Sequence, residues 1–557
     1  MADISTSSLA QSFKAGLVAV ALLAATVVAA VSPPRFYQDD PIWTDDDKLL
    51  DASKVTFVED SNGYDFLINT FGKPGQRRDV RALNVNTVDE VPDSSWFVNR
   101  IGRRAMTIED IVRGPDQRTV ASLDGWVVSK GKSTGVQAGF RMNDPSGQTY
   151  QIEFDPPSNP EMATGAEIIG TAFYHAFGYH TVEVFLAELD PKKIVIAPDA
   201  RIEDPLIGDK RLMTRRDVDD VLRRSAIQPN GKYRVLASRF ATGAPLGNFR
   251  YYGTRPDDPN DIAAHEHRRE LRGARVFGAW LNHDDSRGVN SLDFLTADGS
   301  KKYVKHYMFD FGSIMGSGTK FEQRHRAGNE YIVEWAPGWL TLATLGGYVR
   351  PWMLIDYPKV PPSVGRFEGV AFDPIKWVPE YPNPAFENMR PDDAFWAARI
   401  VSKFSDQAIK AVVEKARYSD PIATKYITET LILRRDKVLK TWLAGVNPLV
   451  DFAIDPQGQL TFSNAAVDVH AATPASGYRL TWARFDSVTN AATRVGSEVT
   501  SQEMLSRVPA ELANTRAGDY IEVQVSATHA DHPTWAKPVV VHFRRVAAGW
   551  QLVGMER

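Results

Sequence analysis

Three side chains in one short stretch have the types and spacing to hold a phosphate with a metal and to receive a proton. Asp285 and Asn290 are separated by four residues in the run His283-Asp284-Asp285-Ser286-Arg287-Gly288-Val289-Asn290, and Asp310 opens Asp310-Phe311-Gly312. Moving a phosphoryl group depends on positioning and charge neutralisation more than on covalent chemistry. One carboxylate must orient or accept the acceptor's proton. A hard divalent cation takes oxygen ligands, such as an Asn amide and a second carboxylate. Asp285 suits the first task; Asn290 and Asp310 suit the second. Each motif alone is weak, because an Asp-Phe-Gly tripeptide is often a strand end and Asp-Asp-Ser-Arg-Gly also reads as a solvated turn. Their order and the chain between them carry the weight.

The elements around them are legible from periodicity. A helix over 266–281, with Leu271, Ala274, Phe277 and Leu281 on its buried stripe, leads straight into the loop. A hairpin follows, with arms 291–296 and 302–309 turning at Asp298-Gly299, and it returns Asp310 beside Asn290. Upstream, 125–129, 139–142 and 149–154 alternate with period two around the turn Asn143-Asp144-Pro145-Ser146-Gly147, predicting a hairpin-rich sheet. A helix with Ala166, Ile169, Phe173, Ala176 and Phe177 on one face comes next and stops at Gly178. Val182, Val184 and Leu186 predict a strand ended by Glu188, 190–232 an irregular insertion, 235–240 a strand and 243–253 a loop. After Gly312 the chain is rich in Trp and Pro, and helices are predicted over 393–404, 406–416 and 423–443.

The flanks differ. Residues 35–115 are polar, Asp-rich and broken by Pro and Gly; Thr107-Ile108-Glu109-Asp110 reads as a helix cap. In the tail, 478–482 and 520–525 alternate, and 539–545 and 550–553 form a hairpin around Ala547-Ala548-Gly549. Several short strands in so short a stretch predict a small sandwich.

On these residues the chain resembles the protein kinases and their atypical relatives, whose catalytic loop is His-x-Asp-x4-Asn followed by Asp-Phe-Gly. The resemblance covers about 125–443 and includes a glycine-containing β segment, the helix carrying Glu167, and the helix leading into the loop. It implies an α+β, bilobal protein-kinase-like fold. The N-lobe would span 121–190 and the C-lobe, with insertions, 191–448. An N-terminal extension, 32–120, would pack on this core, and 449–557 would form the β-sandwich-like domain. It also implies Asp285 as the catalytic Asp, Asn290 and Asp310 as ligands of Mg²⁺ or Mn²⁺, and ATP as the nucleotide. The resemblance breaks at the third strand, where kinases place a Lys paired to the helix acid; here Glu153 stands there. Lys132, in Lys130-Gly131-Lys132-Ser133-Thr134-Gly135, is the candidate substitute for gripping nucleotide, with Glu167 as the helix acid. A solvated loop lysine is an equally simple reading of Lys132, and a surface acid of Glu167. Lys305, on the strand before Asp310, is a poorer substitute.

Other chemistries are excluded or stay bland. Gly125 and Gly131-Lys132-Ser133 are one residue too far apart for a P-loop, and no helix follows. His265-Glu266-His267 cannot share one ion in helical register, because residues two apart diverge by about 200°. Arg268, Arg269, Arg272 and Arg275 predict a basic helix face, solvated or meeting an acidic partner. Gly316-Ser317-Gly318 is most simply a flexible loop. The 557 residues carry a net charge of −4, which gives no general attraction to nucleic acid. There is no Cys, which removes disulfides, thiolate metal sites and thiol nucleophiles together.

An apolar run, 15–31, ends in Val28-Ala29-Ala30 and is followed by Ser32-Pro33-Pro34. It lies between a signal-peptide core of about 7–15 residues and a membrane span of about 20. Residues 1–31 are therefore expected to be a signal peptide or an N-terminal membrane anchor. The chain would be periplasmic or extracellular, free or held at the inner membrane. Two function classes follow: an exported kinase-like transferase acting on an unknown protein or small-molecule acceptor, by phosphoryl or nucleotidyl transfer, or a pseudokinase that binds and scaffolds.

Overall fold

The computed structural model describes residues 33–132, 137–203 and 208–557. The expected leader or anchor, 1–31, lies outside them, as does Ser133-Thr134-Gly135 after Lys132. The first described residues run over the rest of the molecule. They include the short helices α1 (Asn62–Leu67) and α2 (Ile108–Arg113), the second opened by the expected capping box between Thr107 and Asp110. Val91, Phe97, Ile101 and Ile111 contribute to the main core, and Trp96 stacks on His306 at 3.5 Å between ring centres.

Period-two alternation yields an antiparallel meander of β1 (Val127–Gly131), β2 (Gly139–Asn143) and β3 (Thr149–Phe154). Tyr150, Ile152 and Phe154 point to one buried face, which leaves Gln151 and Glu153 on the other. α3 (Met162–Phe177) packs Ile168 against Val184, Leu186 and Leu236 of the sheet, and Ile169, Phe173 and Phe177 into the main core. Wedged between two layers, α3 is buried nearly all round.

β4 (Val184–Leu189) runs through Glu188 instead of stopping there, because Glu188 sits mid-ladder opposite Arg234. The stretch 190–232 is not irregular. It forms β5 (Val195–Glu203), β6 (Lys210–Leu212) and α4 (Arg215–Arg223). β5 pairs parallel to β1, and Val218, Val221 and Leu222 of α4 join the apolar cluster on the outer sheet face. With β7 (Tyr233–Arg239) the sheet has the order β4-β7-β3-β2-β1-β5-β6. Its two faces are thus covered by α3 and by the inserted α4.

The predicted loop 243–253 contains β8 (Ala244–Gly247). α5 (Arg269–Leu281) starts three residues later than expected, after a short 3-10 turn, His265–His267. Its basic face is not solvated. Arg268, Arg269 and Arg272 are fully buried, against carboxylates supplied by Asp89, Asp261, Asp392 and Asp393. β9 (Ser291–Asp298) and β10 (Lys301–Met308) form the predicted hairpin in register Ser291↔Met308, with β8 on the outer edge of β9.

α6 (Trp335–Ala343) buries none of its residues; Trp335, Trp339 and Leu342 are exposed. α7 (Pro384–Glu387), α8 (Pro391–Val401) and α10 (Pro421–Val438) then pack on α5, and α9 (Asp406–Lys415) packs on α2, α3 and α10. The tail holds two antiparallel sheets. One joins β11 (Leu449–Ile454), β12 (Gln459–Asn464) and β15 (Leu505–Arg507). The other orders β14 (Ala491–Ser501), β13 (Gly477–Asp486), β16 (Tyr520–Thr528), β17 (Val539–Val546) and β18 (Gly549–Glu556). Phe462 of the first meets Tyr478 of the second edge-on at 5.2 Å. The class is α+β: the sheets are antiparallel apart from the β1–β5 pair, and helices are interleaved with the strands as far as β10. Among the described residues no helix is long and apolar enough to cross a membrane.

Candidate active site

The loop 283–290 is held in place from the end of α5. Asn282 takes the left-handed conformation that closes the helix, and the His283 N–H donates back to the Gly278 carbonyl at 2.8 Å. Buried Arg434 donates to the carbonyls of Ala279 and Trp280, satisfying groups that a helix end leaves open. The His283 Nδ1 is 2.8 Å from the Tyr174 hydroxyl, and burial pushes this imidazole down to about 3. Asp284 accepts from the Gly328 N–H, and burial with the Glu380 charge pushes it up to about 7.

Asp285 forms an ion pair with Arg287, which also reaches Glu380 at 3.3 Å. Burial raises Asp285 to about 6 against the pull of Arg287. The Asn290 amide nitrogen donates to the Asp285 carbonyl at 2.9 Å, which leaves the amide oxygen as its acceptor end. Hairpin register does the rest. Asn290 lies one residue before Ser291 and Asp310 two after Met308, so both sit at the open base of the β9–β10 hairpin.

Asp310 adopts the left-handed region at φ 63°, which turns the chain sharply out of β10. Phe311 and Gly312 then dock on α3. Glu167, Gly170 and Tyr174 lie at spacings of three and four along one face of that helix. Tyr174 stacks on Phe311 at 4.4 Å, and His283 meets the same ring at 5.6 Å. A Cβ at Gly170 would come within 2.4 Å of Phe311 Cβ, so only glycine admits this approach. The backbone N–H groups of Phe311 and Gly312 face Glu167 and favour its charged form, and the Thr171 hydroxyl donates to its Oε1 at 3.4 Å. Burial first, then the charges of Asp310 and Glu153, push its carboxyl well above the usual range.

The sheet brings the remaining pair. Gly139 is paired with Glu153, and Lys132 follows Gly131, which is paired with Phe140. Gly139 is therefore the residue between Lys132 and Glu153, and it has no side chain to keep them apart. The Lys132 ammonium lies 2.5 Å from Glu153 Oε1, so it is not a solvated loop lysine. Surrounding protein, then Glu153 and Asp285, push Asp310 up to about 7, and Lys132 and Arg287 pull the other way. The Asp310 side chain is nevertheless open to solvent, so water screens part of this crowding.

The sequence-predicted residues thus converge. Glu153, Asp285 and Lys132 act on the charge of Asp310, Asp310 and Glu153 act on that of Glu167, and Asn290 holds the loop beside them. Lys305 does not join them; it lines a separate pocket with Arg100 and His175. Arg287, Glu380 and Tyr174 belong to the site without having been singled out in the sequence. Arg287 lies inside the quoted loop, whereas nothing near Glu380 signals its place. Asp310 and the Asn290 oxygen are hard donors, and the surplus of carboxylates around them is chemistry that a divalent cation relieves. Among the described residues no group of three or more His, Asp or Glu side chains is disposed as a ready-made metal site. No family model, curated protein or solved structure matches the chain.

Proposed function

We propose that the chain is an exported kinase-like transferase that moves a phosphoryl or nucleotidyl group from a metal-bound nucleotide, ATP, to a protein or small-molecule acceptor. The observation that carries this reading is the convergence of Lys132, Glu167 and Asp310, from β1, α3 and the end of β10, on the loop holding Asp285 and Asn290. The order of parts supports a bilobal kinase-like arrangement: a meander, a helix docked on Asp-Phe-Gly through its acid, a second helix, the loop and the hairpin. In this reading Asp310 and Asn290 would hold Mg²⁺ or Mn²⁺, which would supply charge neutralisation for the phosphates. Mg²⁺ takes most of its ligands from water and substrate phosphate, so two protein oxygens suffice. Asp285, held by Arg287, orients the acceptor hydroxyl and takes its proton. The acceptor oxygen bonds to phosphorus as the bond to the leaving phosphate oxygen breaks. Lys132 grips a phosphate after leaving Glu153. Location outside the cytoplasm rests on residues 15–31 alone.

A second reading, a pseudokinase that binds and scaffolds, is favoured by one observation: Lys132 and Asp285 are both already ion-paired. Incubating the protein with Mg²⁺ and ATP labelled at the α- or γ-phosphate separates the two. The transferase reading expects label on the acceptor, or on the protein itself, that disappears in Asp285→Asn. Metal-dependent ATP binding without transfer of either label supports the pseudokinase. A result with neither binding nor transfer removes the transferase and leaves only a scaffold that binds no nucleotide.

A further inference from the structure

α3, β10 and the end of β7 line an open pocket of about 250 Å³ whose wall includes Arg100, His175, Thr181, Glu183, Arg239 and Lys305. We propose that this pocket is a binding site for a small, multiply charged oxyanion, a phosphate group or its equivalent. It shares two elements with the cleft but none of the residues assigned to it.

Two cations in this wall, Arg100 and Lys305, form no ion pair among the described residues. Arg100 gives one guanidinium nitrogen to the carbonyls of His175 (2.7 Å) and Tyr179 (3.0 Å). Among the described residues its other N–H groups meet no acceptor, and the nearby carboxylate of Asp93 is held by Arg104 at 3.0 Å. Burial lowers Arg100 to about 10. The Lys305 ammonium rests 5.2 Å from the Tyr307 ring centre and, among the described residues, forms no ion pair or hydrogen bond. Burial, then Lys48 and Arg100, lower its pKa. The one acid in the wall, Glu183, is neutralised by an ion pair with Arg239. Two half-buried cations facing one pocket without an anion are costly, and a bound anion removes that cost.

The neighbouring imidazoles report the same field. His175 is pushed down to about 3 by burial, then by Arg100, Lys415, Arg113 and Lys305. His180 is lowered by burial, then by Lys305 and Arg100. The wall also holds hydrogen-bonding capacity in reserve. Among the described residues, the hydroxyl of Thr181, a residue 8 % exposed, and the Nδ1 of His175 have no hydrogen-bond partner. Two cations match a dianion; a single carboxylate would leave one of them unpaired. The volume admits a phosphate with a small organic group attached.

The test uses the full chain, titrated with inorganic phosphate at pH 8 and constant ionic strength in chloride, followed by calorimetry and by thermal unfolding. The expected result is saturable binding with a rise in melting temperature. Lys305→Gln should weaken binding at least ten-fold, and Asp310→Asn should leave it unchanged. Lys305 donates no hydrogen bond to the fold, so its replacement is compatible with folding, which the melt without phosphate checks. The proposal is overturned by absence of saturable binding, by equal binding in Lys305→Gln, by loss of binding in Asp310→Asn, or by acetate binding as tightly as phosphate.

Discussion

The ammonium of Lys132 sits 2.5 Å from the Glu153 carboxylate, reached across Gly139, and both side chains are only about a fifth exposed. A lysine from the end of β1 has therefore taken up the position beside the acid of β3. Because Glu153 raises Asp310 while Lys132 lowers it, this one pair couples the charge on Lys132 to the protonation of Asp310; under the proposed function it would set both the charge available for a phosphate and the readiness of Asp310 to take metal.

Breaking the pair from its two ends should have opposite effects. Under the proposed function, Lys132→Met would remove a charge-assisted hydrogen bond to phosphate, worth about 1.5–3 kcal/mol, or roughly 10- to 100-fold in affinity. Glu153→Gln frees Lys132 and lowers Asp310 toward its ordinary value, so Mg²⁺–ATP should bind more tightly. Calorimetric titration of both variants checks this; equal affinity in all three proteins would remove Lys132 from the site.

The raised carboxyls fix a sign for pH. Asp310 moves from 3.8 up to about 7 on folding, so the folded state holds its proton more tightly. Its contribution to stability is complete below about pH 4 and is lost as pH rises through 7. Asp284, Asp285 and Glu167 act in the same direction. His175, His180 and His283, lowered from 6.5, act in the opposite direction, since their contribution grows up to about pH 6.5. The decisive quantity is thus a difference. Urea unfolding at pH 5 and pH 8 should show Asp310→Asn gaining stability relative to wild type at the higher pH. A constant difference between the two proteins would contradict the assignment.

Local features of this site were legible and long-range ones were not. Asp285, Asn290 and Asp310 meet because a hairpin with a plain Asp298-Gly299 turn has only one sensible register, and that is visible in the sequence. The Lys132–Glu153 pair depends on the registers of two strand pairs together with a glycine at 139. Arg269 and Arg272 looked like a solvated stripe because the acids that bury them come from Asp89, Asp392 and Asp393, more than a hundred residues away along the chain. The polar stretch 190–232 hid its structure because its strands add to the edge of a sheet defined elsewhere.

The docking of α3 on Phe311 should tolerate no side chain at 170. Gly170→Ala would put a methyl group within 2.4 Å of Phe311 Cβ and forces the helix or the Asp-Phe-Gly turn to move. Overpacking of this kind costs about 1–3 kcal/mol. Because Glu167 sits one turn earlier on that face, nucleotide binding should fall along with stability. A variant that keeps wild-type melting temperature and wild-type Mg²⁺–ATP affinity would show that this contact is not needed.

Arg269 should prove the most sensitive of the buried cations. Its guanidinium reaches Asp89 at 2.8 Å, Asp392 at 2.7 Å and Asp393 at 3.0 Å, and its side chain is wholly inaccessible. The three carboxylates come from the N-terminal segment and the start of α8, so this side chain ties both to the start of α5. Removing one partner of a buried ion pair costs about 3–5 kcal/mol, because the partners keep their uncompensated charge. Arg269→Met should therefore unfold at much lower urea than wild type. Arg269→Lys should recover little, since a single ammonium cannot reproduce the planar fork that spans three carboxylates. Adding Asp393→Asn to Arg269→Met should restore part of the loss by removing one stranded charge. If the double variant is as unstable as the sum of the two single changes, the carboxylates act independently and the network reading fails.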